Sequence, residues 1–467
     1  VARPAMLQSV LASTKRFLCA LAFCFGLAAS GQAQTTVALS LDEARAAAQQ
    51  AALSGNFELA RELAAALLQA DPNDRAALIV LAAVEPRLGR PDQGRMAGAR
   101  AWRLATTDGQ KYEAARLAAL AAANEDRLTL SQIWLRRAAT VAPSPAALAQ
   151  TQQDYAGLRS LNPWRTDIQL SFSPSSNVNG GSNDIYNVID GLPFVGVLSG
   201  DARALSGVTA TADVRLSYRL AETSQARTEI AGRFYSRQVF LSDAARALAP
   251  DSENGDFATT FFEVGVGHKR ARGDAIVMAD FDIGANWSGG DLSTPFARLS
   301  FAGNVPIAAQ WTGSAGIALE QRWQGNSGQI GDVVQTLNAG LAYQLDGGAQ
   351  IAGTVELRDT QSDSGNLRNT ATSLQLTYVP GEQIGPAEMV FTLGASVTDY
   401  PDYAIILPVP GGRQDVTQFA SAEFAFVDFD YAGFAPVVTL GAQRSDSNVS
   451  RFDRSAFSIR FGFRSTF

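Results

Sequence analysis

The chain has 467 residues, with 45 acidic side chains against 38 basic ones and a formal net charge of −7. A mildly acidic balance excludes the basic-patch kind of nucleic-acid binder, and the length exceeds one small domain. Two cysteines and a single histidine, His268, leave little material for thiol, metal-finger or histidine-base chemistry.

Taken in order, the N-terminus carries Lys15 and Arg16, an apolar run from Phe17 to Ala28, and small residues at Ala29, Ser30, Gly31 and Ala33. This pattern predicts a secretory signal peptide over residues 1–33, cleaved after Ala33. A lipoprotein signal at Cys24 fits less well, because Phe23 stands where a small residue belongs. Cys19 and Cys24 both fall in the removed segment, so the exported chain has no thiol. No later stretch is long and apolar enough for a transmembrane helix. Residence in a membrane therefore requires strands.

Residues 40–160 are rich in Ala, Leu, Arg, Glu and Gln and read as helical. Ser40 followed by Glu43 is a capping-box start. Gly55-Asn56-Phe57-Glu58-Leu59-Ala60 and Asp71-Pro72 mark one helix pair, and Gly89 follows Gly55 by 34 positions, the tetratricopeptide period. A third, degenerate unit runs through Tyr112 to Pro143, with Trp134 on its second helix. The expectation is a short tetratricopeptide-like α-solenoid, a shape that offers a groove to a peptide or protein.

At Asn162-Pro163-Trp164 the texture changes, and residues 162–467 alternate strand-like runs with turns rich in Gly, Asp, Asn, Ser and Pro. About fourteen antiparallel strands are expected, an even number as in outer-membrane barrels. They fall near 165–173, 208–219, 227–239, 257–268, 274–287, 294–304, 310–322, 333–345, 349–359, 369–379, 388–399, 416–428, 435–445 and 456–467. Period-two alternation sorts their faces. Ile351, Gly353, Val355 and Leu357 share one face, while Thr354, Glu356 and Arg358 share the other. Val277, Ala279, Phe281, Ile283 and Trp287 oppose Asp280, Asp282 and Asn286, and Ala315, Ile317 and Leu319 oppose Glu320 and Arg322. Apolar faces belong to lipid and charged ones to a wet lumen, so Arg233, Arg237, Glu320, Arg322, Glu356, Arg358 and Arg460 are expected to line the lumen. The first, third and later odd connections should be the long ones if the helical domain is periplasmic.

The last strand alternates Phe457, Ile459, Phe461 and Phe463 with Ser458, Arg460, Gly462 and Arg464, and the sequence stops at Phe467. Ile459, Phe461, Phe463 and Phe467 resemble the signal read by the bacterial barrel-assembly machinery.

The sequence favours no enzyme and no cofactor. His268 continues the parity of Phe262, Val264 and Val266 and should face lipid near the periplasmic rim. Gly265-Val266-Gly267 is half a dinucleotide motif with no helix behind it. Asp280 and Asp282 are better read as lumen charges than as a cation site.

The combination of export signal, short repeat domain and fourteen-strand barrel resembles the surface lipoprotein assembly modulators, the Slam family. The local likeness is Asn162-Pro163-Trp164 leading into Leu170-Ser171-Phe172-Ser173-Pro174-Ser175-Ser176-Asn177-Val178-Asn179-Gly180-Gly181. It is similar to that family's Pro-x-x-Asn-x-Asn signature. The resemblance implies a translocator that carries lipoproteins, or soluble secreted proteins, across the outer membrane. The partners would be that client, outer-membrane lipids and a periplasmic carrier or chaperone. Asn177 and Asn179 have amides suited to pairing with an extended client backbone; Asn-x-Asn-Gly-Gly is equally suited to turning the first loop. An exopolysaccharide export porin is the alternative. The mixed charges of the lining favour a protein client over an acidic polymer.

Overall fold

The structure is a computed structural model. It describes residues 40–465 apart from 194, 326–329, 430, 432 and 433. The expected signal peptide and Phe467 lie outside the described residues.

Seven helices come first: α1 (Leu41–Leu53), α2 (Phe57–Ala70), α3 (Arg75–Val84), α4 (Pro91–Leu104), α5 (Asp108–Asn124), α6 (Leu128–Ala139) and α7 (Pro145–Leu161). The capping box at Ser40 forms, with the Glu43 carboxylate accepting from the Ser40 N–H at 2.8 Å. Helices α1 to α6 make three pairs, each broken at a left-handed residue: Gly55, Gly89 and Asp126, with φ of 81°, 77° and 58°. Only the last has a Cβ, and Asp is one of the few side chains that tolerate this region. The third pair lacks the repeat's glycine for that reason. Small side chains let the helices close up: a Cβ at Gly98 of α4 would meet Ala118 of α5 at 3.1 Å.

Fourteen strands then close on themselves in an antiparallel barrel. These are β1 (Trp164–Ser175), β4 (Gly207–Glu222), β5 (Ala226–Leu241), β6 (Thr259–Arg272), β7 (Ala275–Ser288), β8 (Asp291–Ala308), β9 (Trp311–Trp323), β10 (Ile330–Gln344), β11 (Gln350–Ser362), β12 (Asn369–Val379), β13 (Glu388–Tyr400), β14 (Arg413–Ala425), β15 (Phe434–Ser447) and β16 (Arg454–Ser465). Two three-residue strands, β2 (Tyr186–Val188) and β3 (Val195–Val197), form a hairpin inside the first long loop. A short helix, α8 (Asp243–Leu248), lies in the next long one. The ladders run in register apart from single shifts near Arg219, Asn286, Pro306 and Ile330, and the closing seam is the shortest. Among the described residues, β1 pairs there with β16 at Leu170, Ser171, Phe172 and Ser175, whereas every residue of β1 pairs with β4.

Alternation decides which side faces what. Phe172, Phe234, Ile317, Leu357, Leu393 and Phe461 all project outward and are highly exposed. In water such a surface would aggregate; in hydrocarbon it is the solvated state. At the rim nearest the helices, outward ring pairs gather: Trp164 with Tyr218 at 4.9 Å between ring centres, Trp311 with Tyr343 at 4.7 Å, and Tyr378 with Phe391 at 6.3 Å. This is an aromatic girdle at headgroup level. The barrel spans a bilayer, and the helical domain hangs from the rim that carries this girdle.

Several strand ends differ from the sequence reading by two to four residues, β8 at 291–308 instead of 294–304 among them, and two have a plain reason. Strand β6 runs on to Arg272 instead of stopping at His268, because Lys269, Arg270 and Arg272 belong to the charged rim and not to a turn. Strand β14 spans 413–425 instead of 416–428, since a 3-10 turn at Val427–Phe429 takes over its apolar end. The connections at 176–206, 242–258 and 401–412 are the long ones and share the rim away from the helices, as expected. The other odd connections do not follow the expectation: the fifth is the tight turn Gly289-Gly290, where both residues have positive φ, and the ninth (363–368) and thirteenth (448–453) are shorter than the even tenth (380–387).

Candidate functional site

The lumen is the first part of the site. Register places Arg233, Arg237, Glu320, Arg322, Glu356, Arg358 and Arg460 on the face opposite the lipid-facing residues of their strands. Apart from Arg237, which donates to backbone carbonyls at the far rim, they fall into two groups. Some are tied into a lattice across strands β4 to β9. Arg233 makes a two-pronged pair with Asp213, at 3.0 and 2.7 Å. Arg298 bridges three strands, with Glu263 at 2.7 Å, Asp282 at 3.3 Å and Glu320 at 3.4 Å, and Arg322 holds Glu320 from the other side at 2.6 Å. Between these clusters the rings of Phe261 and Phe296 stack at 5.8 Å, with Arg233 over one and Arg298 over the other. The second group, Glu356, Arg358 and Arg460, is exposed and has no ion pair among the described residues. These charges are open to the lumen.

Gly265 and Gly267 now have a structural reason. They lie on the lumen face of β6, and a Cβ at either would strike a carboxylate oxygen of Asp282 or Asp280 on β7. Two missing side chains give those carboxylates room to lie along the wall. His268 faces lipid near the helical rim, hydrogen-bonded through Nδ1 to the Thr228 hydroxyl at 2.9 Å.

At the far rim the first loop folds inward. Val178 is buried against Val239 and Leu241, and Arg237 donates to the Val178 carbonyl. Asn177 donates to the Gly181 carbonyl at 2.8 Å and accepts from the Gly181 N–H at 3.0 Å. Asn179 donates to the carbonyls of Asp201 and Arg203, at 2.8 and 2.7 Å, and accepts from the N–H groups of Leu205 and Gly181. Of the two uses the sequence allows these amides, turning the loop is the one the hydrogen bonds make. The same loop is laced to the last loop through Asn183, Ile189 and Asp190. Arg413 pins the cluster, buried between the rings of Tyr400, Phe452 and Tyr403 at 3.7, 3.8 and 4.9 Å.

At the near rim, the chain passes from α7 to β1 through Asn162 and Pro163. Asn162 is 7% exposed. Its amide donates to Thr129 and Gln132 of α6, both at 3.0 Å, and accepts from the N–H of Trp164 at 3.0 Å. Arg219 of β4 reaches back to the carbonyls of Ser160 and Leu161, each at 2.9 Å, and Arg136 of α6 lies 5.3 Å over the Phe434 ring of β15. Replacing Asn162 with Ala strands buried polar groups on both sides, at a cost of about 1–3 kcal/mol. The expected outcome is rapid protease cleavage between α7 and β1 with the barrel intact. Cleavage no faster than in the parent chain would refute the joint.

An apolar exterior, a charged lumen and an aromatic girdle define the class. The barrel is of the outer-membrane channel type. No protein-family model matches the chain, and no curated protein does. Among solved structures, the barrel is similar to OccAB3 of Acinetobacter baumannii, at 10% identity over 65% of this chain and 99% of that one, with a TM-score of 0.36. It is also similar to an outer membrane channel from Pseudomonas putida F1, at 12% identity over 65% and 95%, with a TM-score of 0.33. The helices are similar to SycD, the type III secretion translocator chaperone of Yersinia enterocolitica, at 17% identity over 27% and 90%, with a TM-score of 0.24.

The sequence reading missed Asp213, Glu263, Arg298 and Arg413. Arg298 had a signal: it alternates with the lipid-facing Leu299 and Phe301 within a strand already recognised. Arg413 had none, because it sits before the expected strand start.

Proposed function

We propose that the chain is an outer-membrane translocator that delivers lipoproteins, or soluble secreted proteins, to the bacterial cell surface. The observation that carries this reading is the joint. A helical domain of the kind that binds peptides is fixed to the rim of a channel by Asn162, Arg219 and Arg136. A passive pore has no use for such a fixture. The helical domain is the periplasmic receiver, tetratricopeptide-like in its 34-residue spacing from Gly55 to Gly89, and takes the client from a carrier or chaperone. The lumen gives a polar chain a path that hydrocarbon denies it. The seam where β1 and β16 close the barrel is where a lipid anchor leaves sideways into the bilayer. Ile459, Phe461 and Phe463 face lipid on β16, open to the assembly machinery that inserts the barrel.

The test is surface display in a laboratory bacterium that expresses the chain together with a candidate lipoprotein client. Intact cells are probed with antibody and external protease. Exposure should depend on the chain and vanish when residues 40–160 are removed. Display that persists without those residues would overturn the receiver role. No display with a folded barrel, and export of an acidic polysaccharide instead, would replace the reading.

A further inference from the structure

A groove of about 940 Å³ crosses the lipid face of β8 to β11, in the half of the barrel nearer the helices. Its floor is made by Gly303 of β8, Ala315 of β9 and Ala339 of β10, which stand side by side on neighbouring strands. Val277 of β7 and Val355 of β11 close its two ends. All five share the parity of the lipid-facing residues on their strands, Phe281, Phe301, Ile317, Leu337 and Leu357. Floor and ends therefore lie on one side of the barrel wall. The ladder does not require the gap. Gly303 has no positive φ, and a Cβ there would make only ordinary contacts, the nearest at 3.6 Å. Glycine inside a strand weakens it, and what it leaves here is a trough open to hydrocarbon.

Trp311 and Tyr343 of the aromatic girdle line the groove where it reaches the rim. The Tyr343 hydroxyl donates to the Gln310 side-chain oxygen at 3.0 Å, and the Gln310 amide donates to the Asp346 carboxylate at 3.0 Å. Tyr343 shares the lipid-facing parity of Leu337 and Leu341, so this chain of hydrogen bonds ends on a carboxylate at headgroup level, on the groove's own side of the wall. Asp346 is exposed and has no ion pair among the described residues. Between Arg298 and Arg322, and again between Arg322 and Arg358, the sequence has no lysine or arginine. Neither of the two turns at this rim, after β8 and after β10, carries a cation. An anionic headgroup is repelled there. An ammonium with N–H donors gains a charge-assisted hydrogen bond to Asp346.

We infer that this groove binds a phospholipid with a primary ammonium headgroup, drawn from the leaflet on the helical side. The ammonium donates to Asp346, and an acyl chain passes the Trp311 and Tyr343 rings to lie over Gly303, Ala315 and Ala339. This inference needs only a bilayer-spanning barrel, so it stands or falls independently of the client.

The experiment uses the full chain, delipidated in detergent and examined by native mass spectrometry with the dioleoyl forms of phosphatidylethanolamine, phosphatidylcholine and phosphatidylglycerol. Phosphatidylethanolamine should bind roughly tenfold more tightly than phosphatidylcholine, whose quaternary nitrogen has no N–H to donate. D346N should remove most of that preference. A315L/A339L, which fills the groove floor, should weaken phosphatidylethanolamine binding by roughly fivefold or more, with heat-modifiable migration confirming that the barrel is folded. A212L/A285L makes the same exchange at lipid-facing positions outside the groove and should bind as the parent does. Equal binding of the three lipids, tightest binding of phosphatidylglycerol, or a preference undiminished in D346N would overturn the headgroup assignment. Undiminished binding by A315L/A339L, or equal loss in A212L/A285L, would overturn the groove. A dimer mass that A315L/A339L abolishes would give the groove to a second copy of the chain and overturn the lipid assignment.

Discussion

Replacing Arg298 with Met should destabilise the barrel and turn its lumen towards cations. The guanidinium contacts Glu263, Asp282 and Glu320 on three neighbouring strands. Methionine keeps much of the volume over Phe296 but leaves three carboxylates facing one another with Arg322 as the remaining nearby cation on their side. Removing one partner from a largely buried charge cluster costs about 3–5 kcal/mol. The lumen is wet and Arg298 is 30% exposed, so the expected loss is smaller, about 2–4 kcal/mol. The unfolding midpoint on heating in detergent should fall. In planar bilayers under a salt gradient, the reversal potential should move towards the cation limit, because rings of carboxylates select cations. The second change, E263Q in the R298M background, should recover part of both effects, since it removes one of the stranded charges. A variant with the parent's melting point and reversal potential would show that the lattice is not an energetic unit.

Much of this barrel was legible because its solvent is inverted. A strand between water and hydrocarbon has to alternate along its whole length, and that is why Ile351, Val355 and Leu357 could be set against Glu356 and Arg358 from the sequence alone. Charges at a rim break the rule. Lys269, Arg270 and Arg272 read as a turn, yet they are strand residues at headgroup level. Contacts between distant segments were not legible at all. Asn162 stands out as a boundary residue, but its partners Thr129 and Gln132 lie thirty or more positions earlier. Gly265 and Gly267 suggested a nucleotide motif in miniature. Their reason is a pair of carboxylates on the next strand, which only the register brings beside them. The charges that line the lumen could be named one by one. Which of them cancel, and which stay free, is a property of neighbouring strands and not of any one strand's pattern.

The double change N177A/N179A should open the first loop and leave the strands in place. Asn177 makes two hydrogen bonds to the backbone of Gly181, and Asn179 makes four, to Gly181, Asp201, Arg203 and Leu205. Alanine at both sites leaves these backbone groups to find water, at about 1–3 kcal/mol for each asparagine. The start and end of the loop then keep backbone bonds such as that from the Val178 N–H to the Leu205 carbonyl at 2.7 Å, which the freed segment can exchange for water. With the side-chain clasp gone, Val178 loses its seat against Val239 and Leu241, and Arg237 loses the carbonyl that occupies it. Protease added to intact cells should then cut within residues 176–206, and single-channel conductance should rise as the inward fold of the loop is released. Client display separates this role from a direct one. Loss of display together with a cut loop follows from the clasp. Loss of display while the loop stays resistant and the conductance is unchanged would instead put the two amides on the client itself, and would sink the clasp.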